Sequence, residues 1–176
     1  MEADKEKRKK YLNLIKKINK NNLVYVDESG IDMTISREKS WSKKGSPATL
    51  KKSGKHYERT NIIAALSEKK ILAPLVFNGS CNTEFFNIWV EKCLIRELKP
   101  GQCVVMDNAS FHKSKKTEEL IKAKGCSIVF LPPYLPDLNP IEKFWANMKR
   151  CIKSNINLFN KLYDALVAFF SFQRST

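Results

Sequence analysis

Two short apolar runs, each followed directly by an aspartate, constrain the fold of this chain more than any other feature. Residues 23–26 read Leu-Val-Tyr-Val before Asp27, and residues 103–106 read Cys-Val-Val-Met before Asp107. Runs of this length and composition predict buried β-strands. Because binding groups in α/β proteins gather at the carboxyl ends of strands, we expect the two aspartates to meet at one edge of a sheet.

The remaining segments alternate between strand and helix patterns. We expect Gly30 to form a turn after the first strand and residues 37–59 to form edge strands joined by a basic loop. Further strands are predicted at residues 61–66, 71–77 and 127–131, and helices at residues 82–98, 115–124, from 141 onward and at the C-terminus. The order predicts an α/β fold in which helices flank a mixed sheet, with a basic leading helix over residues 1–20 and one domain over residues 21–176.

A third acid, Glu142, is separated from Asp107 by 34 residues and follows a proline-rich turn. One interpretation is that Asp27, Asp107 and Glu142 converge on a pair of cations. The other is structural, since Asn139 is a good N-cap, Pro140 suits the first helical position, and Glu142 would then complete a capping box. Strand alternation places Asp27 and Glu28 on opposite faces, so we do not expect both to serve one site.

The net charge of +14 favours a polyanionic partner. Charge alone would equally suit a ribosomal protein or a protein of the membrane surface. The sequence has neither a long apolar run nor a signal peptide, so we expect a cytoplasmic, nucleoid-associated protein without a membrane segment.

Basic and polar residues near the acids are candidates for supporting roles. Asn108 and His112 would orient a metal ligand or contact a phosphate, although His112 also suits a locally packed loop histidine. Trp145 falls on the apolar stripe of its helix and is assigned to the core rather than to base stacking. The candidate phosphate contacts are Lys43, Lys44, Lys51, Lys52, Lys55, Arg59, Lys149 and Lys153. A solvated loop is the alternative for the six between residues 43 and 59.

Three motifs together resemble the catalytic domain of bacterial insertion-sequence transposases of the mariner-like superfamily, over roughly residues 20–172. They are Val-Tyr-Val-Asp27-Glu-Ser-Gly, Val-Met-Asp107-Asn-Ala-Ser-Phe-His112 and Leu-Pro-Pro-Tyr134-Leu-Pro-Asp-Leu-Asn-Pro-Ile-Glu142-Lys-Phe-Trp145. Leu135 departs from the family pattern, which usually has serine there.

The resemblance implies a ribonuclease H-like, five-stranded mixed sheet with Asp27, Asp107 and Glu142 as the DDE triad. It also implies two Mg²⁺ or Mn²⁺ ions, DNA strand cleavage followed by strand transfer, and a homodimer on DNA. The family's helix-turn-helix region is not expected within residues 1–20, and an upstream polypeptide is expected to supply it. A non-catalytic DNA-binding remnant and a host ribonuclease H-superfamily nuclease are the alternatives.

Overall fold

Five strands form a single sheet in the computed structural model, which describes residues 5–32, 59–68, 70–133 and 136–174. The strands are β1 (Leu23–Ile31), β2 (Thr60–Ser67), β3 (Lys70–Phe77), β4 (Cys103–Met106) and β5 (Ser127–Phe130). Their order is β3-β2-β1-β4-β5. β1 pairs with β2 and β2 with β3 in antiparallel fashion, whereas β4 is parallel to both β1 and β5. The mixed five-stranded sheet predicted from the sequence is confirmed.

Helices cover both faces of this sheet. They are α1 (Lys5–Ile15), α2 (Thr83–Trp89), α3 (Ile95–Glu97), α4 (Lys115–Ala123), α5 (Ile141–Asn155) and α6 (Leu162–Arg174), and a π-helical turn at Val90–Leu94 joins α2 to α3. None of the helices in the described part of the chain has the length and hydropathy needed to span a bilayer.

Alternating side chains of β1 divide the core between the two faces. Val24 and Val26 pack with Phe86 of α2 in one cluster, together with residues of α4. The opposite face packs against α5 and α6, where Trp145 and Leu166 are buried. A third cluster holds α1 against the sheet through Tyr11, Leu23 and Val105.

The prediction that the first strand ends at Val26 and turns at Gly30 is wrong. β1 continues to Ile31 because its antiparallel pairing with β2 extends from Val24 to Ile31. Gly30 lies within this strand, where a Cβ atom would come within 2.9 Å of the side chains of Arg59 and Asn61. The predicted edge strands and basic loop fall largely on residues 33–58, outside the described residues.

Strand β3 has an irregular centre that two helical side chains complete. Its pairing with β2 shifts register between Ile63 and Ala65, and Ala73 has a φ of 48°. The Ala73 N–H donates to Glu97 Oε1 at 2.9 Å, and its carbonyl accepts from Trp89 Nε1 at 2.9 Å. Both backbone groups of the bulge are therefore satisfied by side chains.

Each terminal helix buries one stripe of its side chains. In α6, Leu162, Leu166 and Phe170 are buried, and Tyr163 is 48% exposed. In α1, Tyr11 is buried, whereas Leu14 is 46% exposed.

Candidate active site

Asp27 and Asp107 lie on neighbouring parallel strands at the same level of the sheet. Leu23 pairs with Cys103 and Tyr25 with Val105, so each aspartate lies the same distance beyond paired residues. Asp107 directly follows β4, as predicted. Asp27 is inside β1, because this strand continues along β2 after its pairing with β4 has ended. The expected meeting of the aspartates thus depends on the end of the parallel pairing and not on the end of β1.

Asp27 is a largely buried carboxylate beneath the first turns of α5. It is 9% exposed, and its Oδ2 accepts a hydrogen bond from Trp145 Nε1 at 3.2 Å. Burial, followed by the negative charges of Glu142 and Glu28, raises the pKa of Asp27 to about 7. Glu142 is therefore close enough to interact with Asp27 electrostatically.

Glu142 enters the site without the capping role that was its alternative. α5 begins at Ile141 after Pro140, and no side-chain hydrogen bond caps this end. Asn139, the expected cap, is instead buried, and its Oδ1 has no hydrogen-bond partner within the described segments. The capping-box interpretation is wrong because Asn139 Oδ1 accepts no hydrogen bond from the N–H groups at the start of α5. Glu142 is exposed in the first turn.

Asp107 is fixed by its own loop and by a buried histidine. Its Oδ1 accepts from Ala109 N at 2.9 Å and faces His112 Nδ1 at 2.6 Å. The other ring nitrogen, Nε2, faces Glu28 Oε1 at 3.0 Å. The hydrogen bond from His112 is the main reason that the pKa of Asp107 is lowered.

His112 is the centre of this arrangement. Burial alone would lower the pKa of His112, but hydrogen bonds to Asp107 and Glu28 raise it to about 9. The ring is 0% exposed and therefore has no surface available for a phosphate. Of the two functional roles predicted for His112, orienting Asp107 agrees with these contacts and contacting a phosphate does not.

Other contacts hold the two loops that flank the acids. The Asn108 side-chain amide donates to the carbonyl of Leu131, which links the loop after β4 to the end of β5. Asp137 precedes α5 and forms a 2.7 Å ion pair with Arg8 of α1. Asn108 therefore acts on the backbone, and α1 contacts the segment that leads to Glu142.

The candidate DNA-binding residues are only partly described. Lys43, Lys44, Lys51, Lys52 and Lys55 lie outside the described residues. Arg59 lies 3.8 Å from Asp32, with its side chain 65% exposed. Lys149 and Lys153 follow Glu142 along α5.

The donor set has the chemistry of a site for a hard divalent cation. Carboxylate oxygens are the ligands that Mg²⁺ and Mn²⁺ prefer, and negative charge is concentrated around the buried Asp27. In the described segments, no three acidic, histidine or cysteine side chains are grouped closely enough to hold one ion together. The acids thus fit such an ion by chemistry and by position at one sheet edge, but they do not form a closed cluster.

Two functional contacts were missed by the sequence interpretation. Trp145 is 2% exposed, as predicted for a core residue, yet it also donates a hydrogen bond to Asp27. Glu28 was excluded from the site because it points to the opposite face of β1, but His112 connects it to Asp107. The only sign in the sequence that Glu28 belongs to the site was its position next to Asp27. The sequence did not show that His112, 84 positions away, would connect Glu28 to Asp107.

Comparison with known proteins places this geometry in a family. Residues 22–162 match the DDE superfamily endonuclease family. Over 108 residues the chain is 29% identical to the transposable element Tc3 transposase of Caenorhabditis elegans, a match that covers 59% of this chain and 32% of that protein.

Solved structures share the fold. The Mos1 strand transfer complex has a TM-score of 0.68 at 21% identity, covering 85% of this chain and 47% of that chain. The Mos1 transposase catalytic domain solved with raltegravir and Mg has a TM-score of 0.67 at 13% identity, covering 98% of this chain and 81% of that one.

This chain corresponds to only part of each of these relatives. The chain spans about a third of the Tc3 transposase and about half of the chain in the Mos1 strand transfer complex. The ribonuclease H-like fold predicted from the sequence is confirmed. Since the family match covers most of the sequence, including all three acids, the chain belongs to the DDE superfamily endonuclease family.

Proposed function

We propose that this chain is the catalytic domain of a transposase that cuts DNA strands at element ends and joins the freed 3′-hydroxyl to target DNA. The observation that carries the proposal is the placement of Asp27 and Asp107 at one level on adjacent parallel strands, with Glu142 interacting with Asp27 from α5. Family membership supports the reaction class. A bacterial insertion sequence as the source remains a prediction from the three sequence motifs.

Asp27, Asp107 and Glu142 would hold two Mg²⁺ or Mn²⁺ ions. When bound, such a pair activates an attacking oxygen and stabilises the departing one in an in-line displacement at phosphorus. Trp145 orients the Asp27 carboxylate through its hydrogen bond to Oδ2. Placement of Asp27 below the surface limits the water that reaches its oxygens and strengthens electrostatic attraction there.

DNA is the proposed partner, because the net charge of +14 favours a polyanion. Arg59, Lys149 and Lys153 would contact phosphates, as would the lysines between residues 43 and 55. A homodimer assembled on paired DNA ends and an upstream helix-turn-helix polypeptide complete the proposal. The protein would act in the cytoplasm, at the nucleoid.

Nicking of supercoiled plasmid DNA tests the function directly. We expect Mg²⁺- or Mn²⁺-dependent conversion to open circles that Asp27→Ala, Asp107→Ala and Glu142→Ala each abolish. Asp164→Asn, which changes an exposed acid at the start of α6, is the matched control and keeps full activity. Nicking that survives Asp107→Ala contradicts the proposed site.

A change of metal specificity shows whether Asp107 contacts the cation. Thiolate is a softer ligand than carboxylate, so Asp107→Cys is expected to lose Mg²⁺-dependent nicking and to regain part of it with Mn²⁺. Loss of activity with both metals would be the result of a purely structural role.

A DNA-binding remnant and a host nuclease, the two alternatives, are distinguished from a transposase by combining the nicking assay with gel retardation and cleavage of an RNA–DNA hybrid. A DNA-binding remnant retards DNA fragments in gels but does not nick plasmid with either metal. A host ribonuclease H-type nuclease cuts the RNA strand of an RNA–DNA hybrid faster than it nicks plasmid DNA. Either result replaces the transposase proposal.

A further inference from the structure

The environment of His112 is closed to solvent and to substrate. Its ring is 0% exposed and packs against Phe86, at 4.5 Å between ring centroids, and against Phe111, at 4.4 Å. The next residue, Lys113, is exposed. A ring enclosed in this way acts on the site through the groups that it touches.

Both groups that face the ring nitrogens are carboxylates. Nδ1 lies 2.6 Å from Asp107 Oδ1, and Nε2 lies 3.0 Å from Glu28 Oε1. Each ring nitrogen thus has a carboxylate oxygen, a hydrogen-bond acceptor, within hydrogen-bonding distance. These charge-assisted bonds at opposite ends of one ring fix its position and its rotation.

Glu28 is the fixed end of the series of hydrogen bonds from Glu28 through His112 to Asp107. It belongs to β1, whose backbone is paired with β2 at this point, and its side chain is 19% exposed. Asp107 lies just beyond the end of β4, and its side chain is 49% exposed. Without the contact to His112 its carboxylate would be free to rotate. The more rigid acid therefore holds the more mobile one through the histidine.

We propose that Glu28 and His112 are positioning residues that hold Oδ1 of Asp107 and thereby direct its Oδ2 toward the metal. The inference rests on the proposed function, in which Asp107 is a metal ligand. Within the described residues no hydrogen bond reaches Oδ2, whereas Oδ1 receives those of Ala109 and His112. Asp107 therefore offers the cation one oxygen from a fixed direction.

The expected effect is on metal affinity more than on DNA affinity. Removal of an outer partner of a metal ligand costs about 10- to 100-fold in metal affinity or activity. We expect Glu28→Ala and His112→Phe to raise the Mg²⁺ concentration for half-maximal nicking within that range. DNA retardation by the variants remains unchanged, because neither side chain is placed to contact a phosphate.

Conservative and matched variants separate positioning from folding. Glu28→Gln keeps an oxygen that accepts from Nε2, so it should recover part of the metal affinity that Glu28→Ala loses. His112→Phe keeps an aromatic ring against Phe86 and Phe111 but removes both nitrogens. Glu119→Gln in α4 changes an exposed glutamate and should match the wild-type protein.

A double variant tests whether Glu28 acts on Asp107 through His112. If Glu28 acts through His112, adding Glu28→Ala to His112→Phe has little further effect on the metal requirement. Effects that multiply would show that the two residues act independently and would overturn the proposal.

Two measurements do not depend on catalysis. The chain has two histidines, so ring ¹⁵N signals in His56→Gln come from His112 alone. Glu28→Ala should shift the signal of Nε2, because it removes the carboxylate that faces this nitrogen. Calorimetric titration of the DNA-free protein with Mn²⁺ should show weaker binding for Glu28→Ala and His112→Phe, and partial recovery for Glu28→Gln.

The outcomes distinguish this proposal from the proposed function. Absence of nicking by the wild-type protein, or nicking by Asp107→Ala, contradicts the function itself. Normal nicking with unchanged metal affinity in both Glu28→Ala and His112→Phe contradicts only the proposal that these two residues position Asp107. If His112→Phe does not fold, as judged by circular dichroism, unchanged ring signals in Glu28→Ala would still refute it.

Discussion

Two buried tryptophans allow the hydrogen bond to Asp27 to be evaluated against an internal control. Trp145 is 2% exposed and donates to a carboxylate, Asp27 Oδ2, at 3.2 Å. Trp89 is 1% exposed and donates to a backbone carbonyl, that of Ala73, at 2.9 Å. Replacement of each by phenylalanine removes the same indole N–H from two buried positions, so the loss of packing largely cancels in the comparison.

The difference between the variants follows from the charge of the acceptor. A buried neutral acceptor without its donor costs about 1–3 kcal/mol, and a charged one costs more. At a pH well above the pKa of Asp27, which is raised to about 7, this acceptor is charged. Under that condition we expect Trp89→Phe to lower the free energy of unfolding by about 2 kcal/mol and Trp145→Phe by about 3 kcal/mol. In a chain of this length each kcal/mol lowers Tm by roughly 2–4 °C.

Urea unfolding followed by circular dichroism measures both values without relying on tryptophan fluorescence. Nicking at a series of Mg²⁺ concentrations, well below Tm, then shows whether the bond to Asp27 also serves the site. Trp145→Phe should raise the Mg²⁺ requirement and Trp89→Phe should not. Equal losses of stability together with an unchanged metal requirement in both variants would refute the reasoning.

Three further predictions concern α1 and α5. Tyr11→Ala should cost about 3–5 kcal/mol and expose α1 to limited proteolysis, because Tyr11 is 6% exposed against the sheet; unchanged protease resistance would contradict this docking. Arg8 lowers the pKa of Asp137, so the pair adds stability above the usual pKa of an aspartate and loses it as pH falls through the lowered value. The Tm difference between Arg8→Gln and the wild-type protein should therefore be largest at neutral pH and vanish in acid, and a constant difference would exclude the ion pair as its cause. Lys149→Gln and Lys153→Gln should each reduce the slope of log DNA affinity against log salt by about 0.9, and an unchanged slope would remove that residue from the phosphate contacts.

Much of the fold was predictable because apolar runs and helical periodicity report local structure. The strands that present Asp27 and Asp107 and the start of α5 beside Glu142 follow from such patterns. The length of β1 did not, because Asp27 to Gly30 is polar or small and remains a strand only through its partner β2. The stabilisation that a strand gains from pairing with a distant segment cannot be predicted from the sequence of either segment alone.

The candidate site shows the same division. Identifying the three acids required only their contexts in the sequence. The bond from Trp145 to Asp27 joins residues 118 positions apart, and His112 reaches Glu28 across 84. These contacts form when tertiary packing brings a helix or a loop over the sheet, and no residue pattern near Glu28 indicates its partner. The Asn139 cap was predicted from a local preference that burial of its side chain overrides.

The bulge at Ala73 also determines how the sheet ends. β3 is an outer strand of the described sheet, and an outer strand with free N–H and C=O groups is a template for pairing with another chain. At the middle of β3 both groups of Ala73 are already bonded to side chains, and the following residue, Pro74, has no N–H to donate. A foreign strand therefore cannot extend along this border without a break, which protects the protein against edge-to-edge aggregation.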